Sequence, residues 1–170
     1  MGKPRGVTVE TRSEAEARNG HPPDSVEPED YAAINAVYAV LLAGVVLATR
    51  ERVKRDPIRA GELLPMGAAT FAVSKVVARE KIGTWVREPF VEDASHGGTP
   101  RGRRIQRALG ELVTCSRCVG AWSALGVVGL RAASPTAGRL VTSILATSAV
   151  NDWAQASFAW LRGRANQPLR

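Results

Sequence analysis

The stretch Tyr31–Thr49, YAAINAVYAVLLAGVVLAT, runs for 19 residues without a charge. As a helix it spans roughly 28 Å, close to the hydrocarbon thickness of a bilayer. Its apolar residues fall on every helical face, which is unusual for a helix on a water-soluble surface. Asn35 is its one strongly polar side chain. The segment predicts a transmembrane helix; the alternative is a buried helix of a soluble all-α domain. Ala39 with Ala43, and Gly44 with Ala48, repeat at a spacing that lets another helix approach closely.

The first 30 residues carry seven acids against four bases, a net of −3 in a chain of +7, so the remainder holds +10. Large apolar residues are scarce there, and Pro4, Pro22, Pro23 and Pro28 interrupt the segment. Such a composition cannot bury enough surface to offset ordering entropy, so residues 1–30 are expected to be a disordered acidic tail. A signal peptide begins with a short basic region instead, so the first apolar helix is expected to remain as an anchor.

Three more apolar segments follow. Leu63–Ala78 contains Pro65 and Lys75 and is expected to lie in the interface, or to span with Lys75 snorkelling. Leu112–Leu130 carries one charge, Arg117, and is slim through Gly120, Ala121, Ala124, Gly126 and Gly129. Leu140–Leu161 contains Asp152. Within it Asp152, Gln155 and Arg162 share one helical stripe, and Trp153, Ala156 and Trp160 another, so its end should turn amphipathic at the headgroups. Pro135 and Gly138 mark a short turn between these last two. The fold class that results is an all-α membrane protein. It has three transmembrane helices, or four if 63–78 spans, including a C-terminal helical hairpin, with a basic loop over 79–111 and a tail over 163–170.

Lys and Arg near spans favour the cytoplasmic side. Arg50, Arg52, Lys54, Arg55 and Arg59 follow the first span, and Arg79, Lys81, Arg87, Arg101, Arg103, Arg104, Arg107 and Arg117 precede the hairpin. Placing both groups inside requires three spans, with the N-terminus outside and the C-terminus cytoplasmic in a multi-pass plasma-membrane protein. Trp85, Trp122, Trp153 and Trp160 then all gather near the inner interface.

Arg101, Arg103, Arg104 and Arg107 put four arginines in seven residues. Interleaved aromatics that would stack on bases are missing, which disfavours nucleic acid. Anionic headgroups attract such a segment by about 1 kcal/mol per base. With Trp122, Trp153 and Trp160, these arginines form the expected lipid- and partner-binding set. Asp152 is expected at the interface, paired with an arginine or lysine.

Cys115 and Cys118, in GELVTCSRCVGAW, are the only cysteines. The pair reads in three ways: half of a tetrahedral zinc site, a thiol–disulfide couple, or two small side chains packing where a helix starts. His21 and His96, the only histidines, stand at no spacing that completes a familiar finger. Catalytic triads, zinc-protease motifs and nucleotide-binding loops are absent from the sequence.

Lys81-Ile82, Arg87–Glu92, the glycine- and arginine-rich Gly97–Arg107, Leu109–Trp122 and the apolar Leu140–Leu161 occur in that order. This order resembles bacterial membrane proteins of the domain-of-unknown-function family 1360, which include a sporulation-associated member. The resemblance covers about residues 35–162. It implies a membrane location and a helical hairpin, and no reaction. Family members tend to have proline after the first cysteine, where this chain has Ser116. The expected function is a non-catalytic membrane-embedded subunit or scaffold, contacting other membrane proteins or its own copies. No small-molecule substrate or cofactor is inferred, and a redox or metal role for the cysteine pair is the alternative.

Overall fold

A computed structural model describes residues 27–92 and 98–165. The expected acidic tail falls almost wholly outside them, as do His21 and His96. Six α-helices make up the described chain: α1 (Pro28–Arg55), α2 (Ala60–Arg79), α3 (Thr84–Arg87), α4 (Ile105–Thr114), α5 (Ser116–Ala133) and α6 (Pro135–Ala165). A two-stranded antiparallel ribbon, β1 (Val91–Glu92) with β2 (Thr99–Pro100), pairs Val91 with Pro100.

Local chemistry explains the helix ends. At the start of α1, Pro28 occupies the first turn, and the Glu27 backbone N–H donates to Asp30 at 3.4 Å. Glu29 and Asp30 face the positive end of the helix dipole, while Arg52, Lys54 and Arg55 face the negative end. In α2 the Arg59 N–H donates to the Glu62 carboxylate at 3.0 Å, a reciprocal cap that starts the helix upstream of Pro65.

Helices α2, α5 and α6 form the central unit, and α1 packs against α5 and the foot of α4. The contacts fix the directions. Arg79 at the end of α2 meets Ser116 at the start of α5, while Glu62 at the start of α2 meets Arg131 near the end of α5. Helix α2 therefore runs antiparallel to α5 along its length. Tyr31 meets Glu111 and Arg52 meets the Ala133 carbonyl, so α1 runs parallel to α5. Lys75 meets Asp152, so α6 returns antiparallel to α5. At about 1.5 Å per residue, the 31 residues of α6 extend well past the 18 of α5.

Two expectations change. The groups at 50–59 and 79–111 lie at opposite ends of the bundle, and the start of α1 lies at the same end as the later half of α6. This fold does not hold both basic groups on one side, nor the start of α1 and the later half of α6 at opposite ends. Packing of the small residues Ala69, Ala72 and Ala78 sinks α2 between its neighbours and outweighs the charge count. The expected single segment 112–130 is also divided. Residues up to Thr114 belong to α4, and α5 departs from it at 85°. Among the described residues, by length and composition only α1 is apolar enough to cross a membrane, or two segments if the bent α4–α5 pair is one span. Glu62 and Lys75 in α2, and Asn151, Asp152 and Gln155 in α6, dilute the other two.

Buried positions are mostly small, and the largest fully buried side chains are Arg87 and Arg131. Arg131, 1 % exposed, meets Glu62 at 3.1 Å and Asp56 at 3.3 Å; Arg139 reaches the same two acids at 2.9 and 3.1 Å. This network joins the α1–α2 loop, α2, α5 and α6. At the other end Lys75 meets Asp152 at 3.0 Å and Glu80 at 3.1 Å, the pairing expected of Asp152. Arg87 donates to the Val77 and Glu80 carbonyls, covering the C-terminus of α2.

Gly138 sits in the first turn of α6, where a Cβ would lie 2.4 Å from the Arg131 Cα. Backbone must shift to admit it, so Gly138→Ala is expected to destabilise the fold by about 1–3 kcal/mol. Arg131→Met leaves two acids facing one arginine and should lower the unfolding temperature further than Arg139→Met, whose side chain is half exposed. Thermal unfolding of purified protein in mild detergent checks both; equal, negligible shifts would refute the packing described.

Candidate functional site: the dithiol elbow

The chain enters α4 through a tight turn. Gly102 has φ +84° and Arg104 φ +52°, both left-handed, which re-aims the backbone along the foot of the bundle. Ala108 is fully buried, and Val113 packs with Val91, flanked by Phe90 and Leu112. This places the β1–β2 ribbon under α4. The Thr114 hydroxyl donates to the Gly110 and Glu111 carbonyls at 2.9 and 3.1 Å, and the Cys115 N–H donates to Glu111 and Leu112. With its last carbonyls satisfied, α4 stops. Cys115 is extended at φ −89°, ψ 104°, and α5 begins at the next residue.

Sulfur caps the new helix. Cys115 Sγ accepts from the Cys118 N–H at 3.4 Å, and the Cys115 carbonyl accepts from Val119 N–H at 3.0 Å. The Cys118 thiol donates to Cys115 Sγ, with the sulfurs 2.8 Å apart. That thiol donor, then the Cys118 backbone N–H, pulls the Cys115 thiol below the usual cysteine range; Arg117 adds a smaller contribution. Ser116 accepts from Arg79 Nε at 3.3 Å and ties the elbow to α2.

A cleft of about 450 Å³ opens beside the thiols, lined by Tyr31, Asn35, Tyr38, Glu111 and Trp122 along with the cysteines. Tyr31 donates its hydroxyl to Glu111, and Arg107 approaches the same carboxylate at 3.8 Å. Tyr38 and Trp122 meet edge-on, with ring centroids 5.2 Å apart. Cys115, Cys118 and Trp122 are thus brought together, with Arg107 one contact away. Arg104 is turned to Glu27, Glu29 and Asp30 at 3.4–4.0 Å. Arg101 and Arg103 are exposed. Trp153 stacks obliquely on Phe71 at 5.7 Å, and Trp160 lies under Arg164 at 4.5 Å, both away from the dithiol on α6. Tyr31 and Glu111 were missed by sequence reasoning. Their separation of 80 residues gives no local signal of the contact.

Among the described residues, no group of three or more His, Cys, Asp or Glu side chains is placed to hold a metal ion. The two sulfurs supply half of a tetrahedral zinc set, and the described part of one chain does not supply the rest.

Residues 65–158, more than half the chain, match a family described as a protein of unknown function (DUF1360). The chain belongs to that family. The DUF1360 match begins within α2 and ends within α6, so it takes in the central α2–α5–α6 unit and the elbow, with α1 outside it. Neither a curated protein nor a solved structure matches the chain.

A lowered thiol pKa keeps Cys115 as thiolate to lower pH, with reactivity lost only as pH falls through the depressed value. Site-resolved iodoacetamide labelling should show Cys115 half-reactive below the ordinary thiol midpoint of about 8.5, and Cys118→Ala should move that midpoint up. A Cys115 profile matching a free thiol, unchanged in Cys118→Ala, would rule out the sulfur cap.

Proposed function

We propose that this DUF1360 protein is a membrane-embedded subunit whose long helices lie across the bilayer, with the elbow end at the cytoplasmic face. The observation that carries the reading is inverted polarity. The two largest fully buried side chains are arginines, while Val40 is 70 %, Leu47 64 %, Leu64 80 % and Ile144 61 % exposed. Water penalises such a surface, whereas hydrocarbon welcomes it and penalises unpaired charge. The most apolar window of α1 is only 11 % buried within this chain, which favours lipid or a partner helix against it.

Orientation follows from the bases. Arg79, Lys81, Arg87, Arg101, Arg103, Arg104, Arg107, Arg117, Arg162 and Arg164 belong to the elbow end, and Arg50, Arg52, Lys54, Arg55, Arg59, Arg131 and Arg139 to the turn end. The larger set favours the cytoplasm, with both ends of the bundle's chain inside. Trp85, Trp122, Trp153 and Trp160 fall in the same half, at headgroup depth. Arg101 and Arg107 then face anionic lipid. Ala39 with Ala43, and Gly44 with Ala48, are exposed on two different sides of α1, and either pair suits close approach by a second membrane helix.

Membranes expressing the full chain should retain it through alkaline carbonate and release it only with detergent. Accessibility reporters placed after Arg55 and after Arg164 should report opposite sides. Release by salt alone, or both reporters on one side, would overturn the placement.

A further inference from the structure

We propose that Cys115 and Cys118 form a thiol–disulfide exchange site that takes a disulfide substrate in the cleft between α1, α4 and α5. The proposal stands on the elbow and goes beyond the subunit role: it holds whether or not the helices span a bilayer.

Three observations converge. The sulfurs are 2.8 Å apart at positions three apart across a helix start, where side chains on one face are neighbours, so bonding needs only a small further approach. Cys118 is exposed and Cys115 partly so, and both line a cleft of about 450 Å³ rather than a closed core. The elbow leaves Cys115 outside regular helix, so its side chain can reorient without breaking α5. Tyr38 and Trp122 supply flat apolar walls, and the Tyr31–Glu111 pair supplies a polar edge.

In the oxidising direction, the Cys115 thiolate attacks one sulfur of the substrate disulfide. A mixed disulfide forms, and the first thiolate leaves, taking up the proton that Cys115 released. Cys118 then gives up its proton and attacks Cys115 Sγ. The mixed disulfide breaks, a Cys115–Cys118 disulfide forms, and the second substrate sulfur leaves as a thiol with that proton. The substrate disulfide is reduced to two thiols, and the protein dithiol is oxidised by the same two electrons. At a cytoplasmic face the pair rests reduced, as a structural disulfide would not.

The test uses full-length protein in detergent, its two cysteines counted by maleimide labelling across a series of reduced-to-oxidised glutathione ratios. Accessible thiols should fall from two to none as one transition within a single chain, reversed by dithiothreitol. Cys118→Ser should trap a 1:1 mixed disulfide at Cys115. Cys115→Ser, an equally small change, should lose that trapping. A peptide disulfide run in parallel separates the sources: faster oxidation by the peptide assigns a protein disulfide as substrate, faster oxidation by oxidised glutathione a small-molecule disulfide. The proposal is overturned if both thiols persist at every ratio, if oxidation yields only cross-linked chains, or if the two serine variants trap equally. It is also overturned if the purified protein carries stoichiometric zinc on these sulfurs that must be chelated before any oxidation. Light scattering and helicity of each variant, matched to wild type, separate loss of chemistry from loss of fold.

Discussion

Arg131 holds the fold together. Its guanidinium lies nearly inaccessible at the turn end, reaching Glu62 and Asp56, while Arg139 closes the square from outside. A buried charge is costly unless paired, so these four side chains must assemble together. Once they do, the start of α2, the end of α5 and the start of α6 are fixed against one another. Gly138 permits this by letting α6 cross within touching distance of Arg131. Lys75 and Asp152 then fix the opposite end. With the Arg131 and Lys75 charges paired inside, the helices are free to carry their apolar side chains outside, and that inversion is the basis of the membrane placement.

The elbow follows from the same frame. Arg79 holds Ser116, and Arg87 covers the end of α2, so the chain between them must turn beneath the bundle before α5 begins. The 85° bend at Cys115 resolves this, and it leaves a sulfur where a helix cap is needed. The dithiol, the aromatic cleft and the anchoring of α1 through Tyr31 are consequences of one break in what reads as a continuous apolar segment. Helix α1 touches α5 and α4, meets the ion network only through Asp56 at its C-terminal cap, and lies outside the family match.

Much of the architecture was legible in the sequence because local patterns carry it. The uncharged Tyr31–Thr49 and the apolar hairpin need no distant information, although the connection is shorter than expected, Ser134 alone, with Pro135 and Gly138 already in the first turn of α6. The elbow was partly legible: Arg117 and the cysteines marked a boundary, but apolar continuity from Leu112 masked the bend. The bases at 50–59 and 79–117 were placed on one side because nothing local shows that α2 runs the length of the bundle between them. Arg131 and Arg139 are held by Asp56 and Glu62, partners 69 to 83 residues away, and nothing local to either arginine announces them. Tyr31 with Glu111 was illegible for the same reason. The small-residue spacing in α1 suggested close packing, yet a Cβ on Gly44, Gly120 or Gly126 would meet nothing within 4 Å inside this chain.

The inverted polarity is tested most directly by spin labels placed singly on a cysteine-free chain in lipid nanodiscs, at Val40, Leu47, Leu64 and Ile144. Their collision rates with oxygen and with a water-soluble nickel complex report the surroundings of each site. The account predicts high oxygen and low nickel accessibility at all four, with the pattern reversing at Glu51 and Arg103. Nickel accessibility at the apolar sites equal to that at Glu51 would contradict it, because those side chains would then face water.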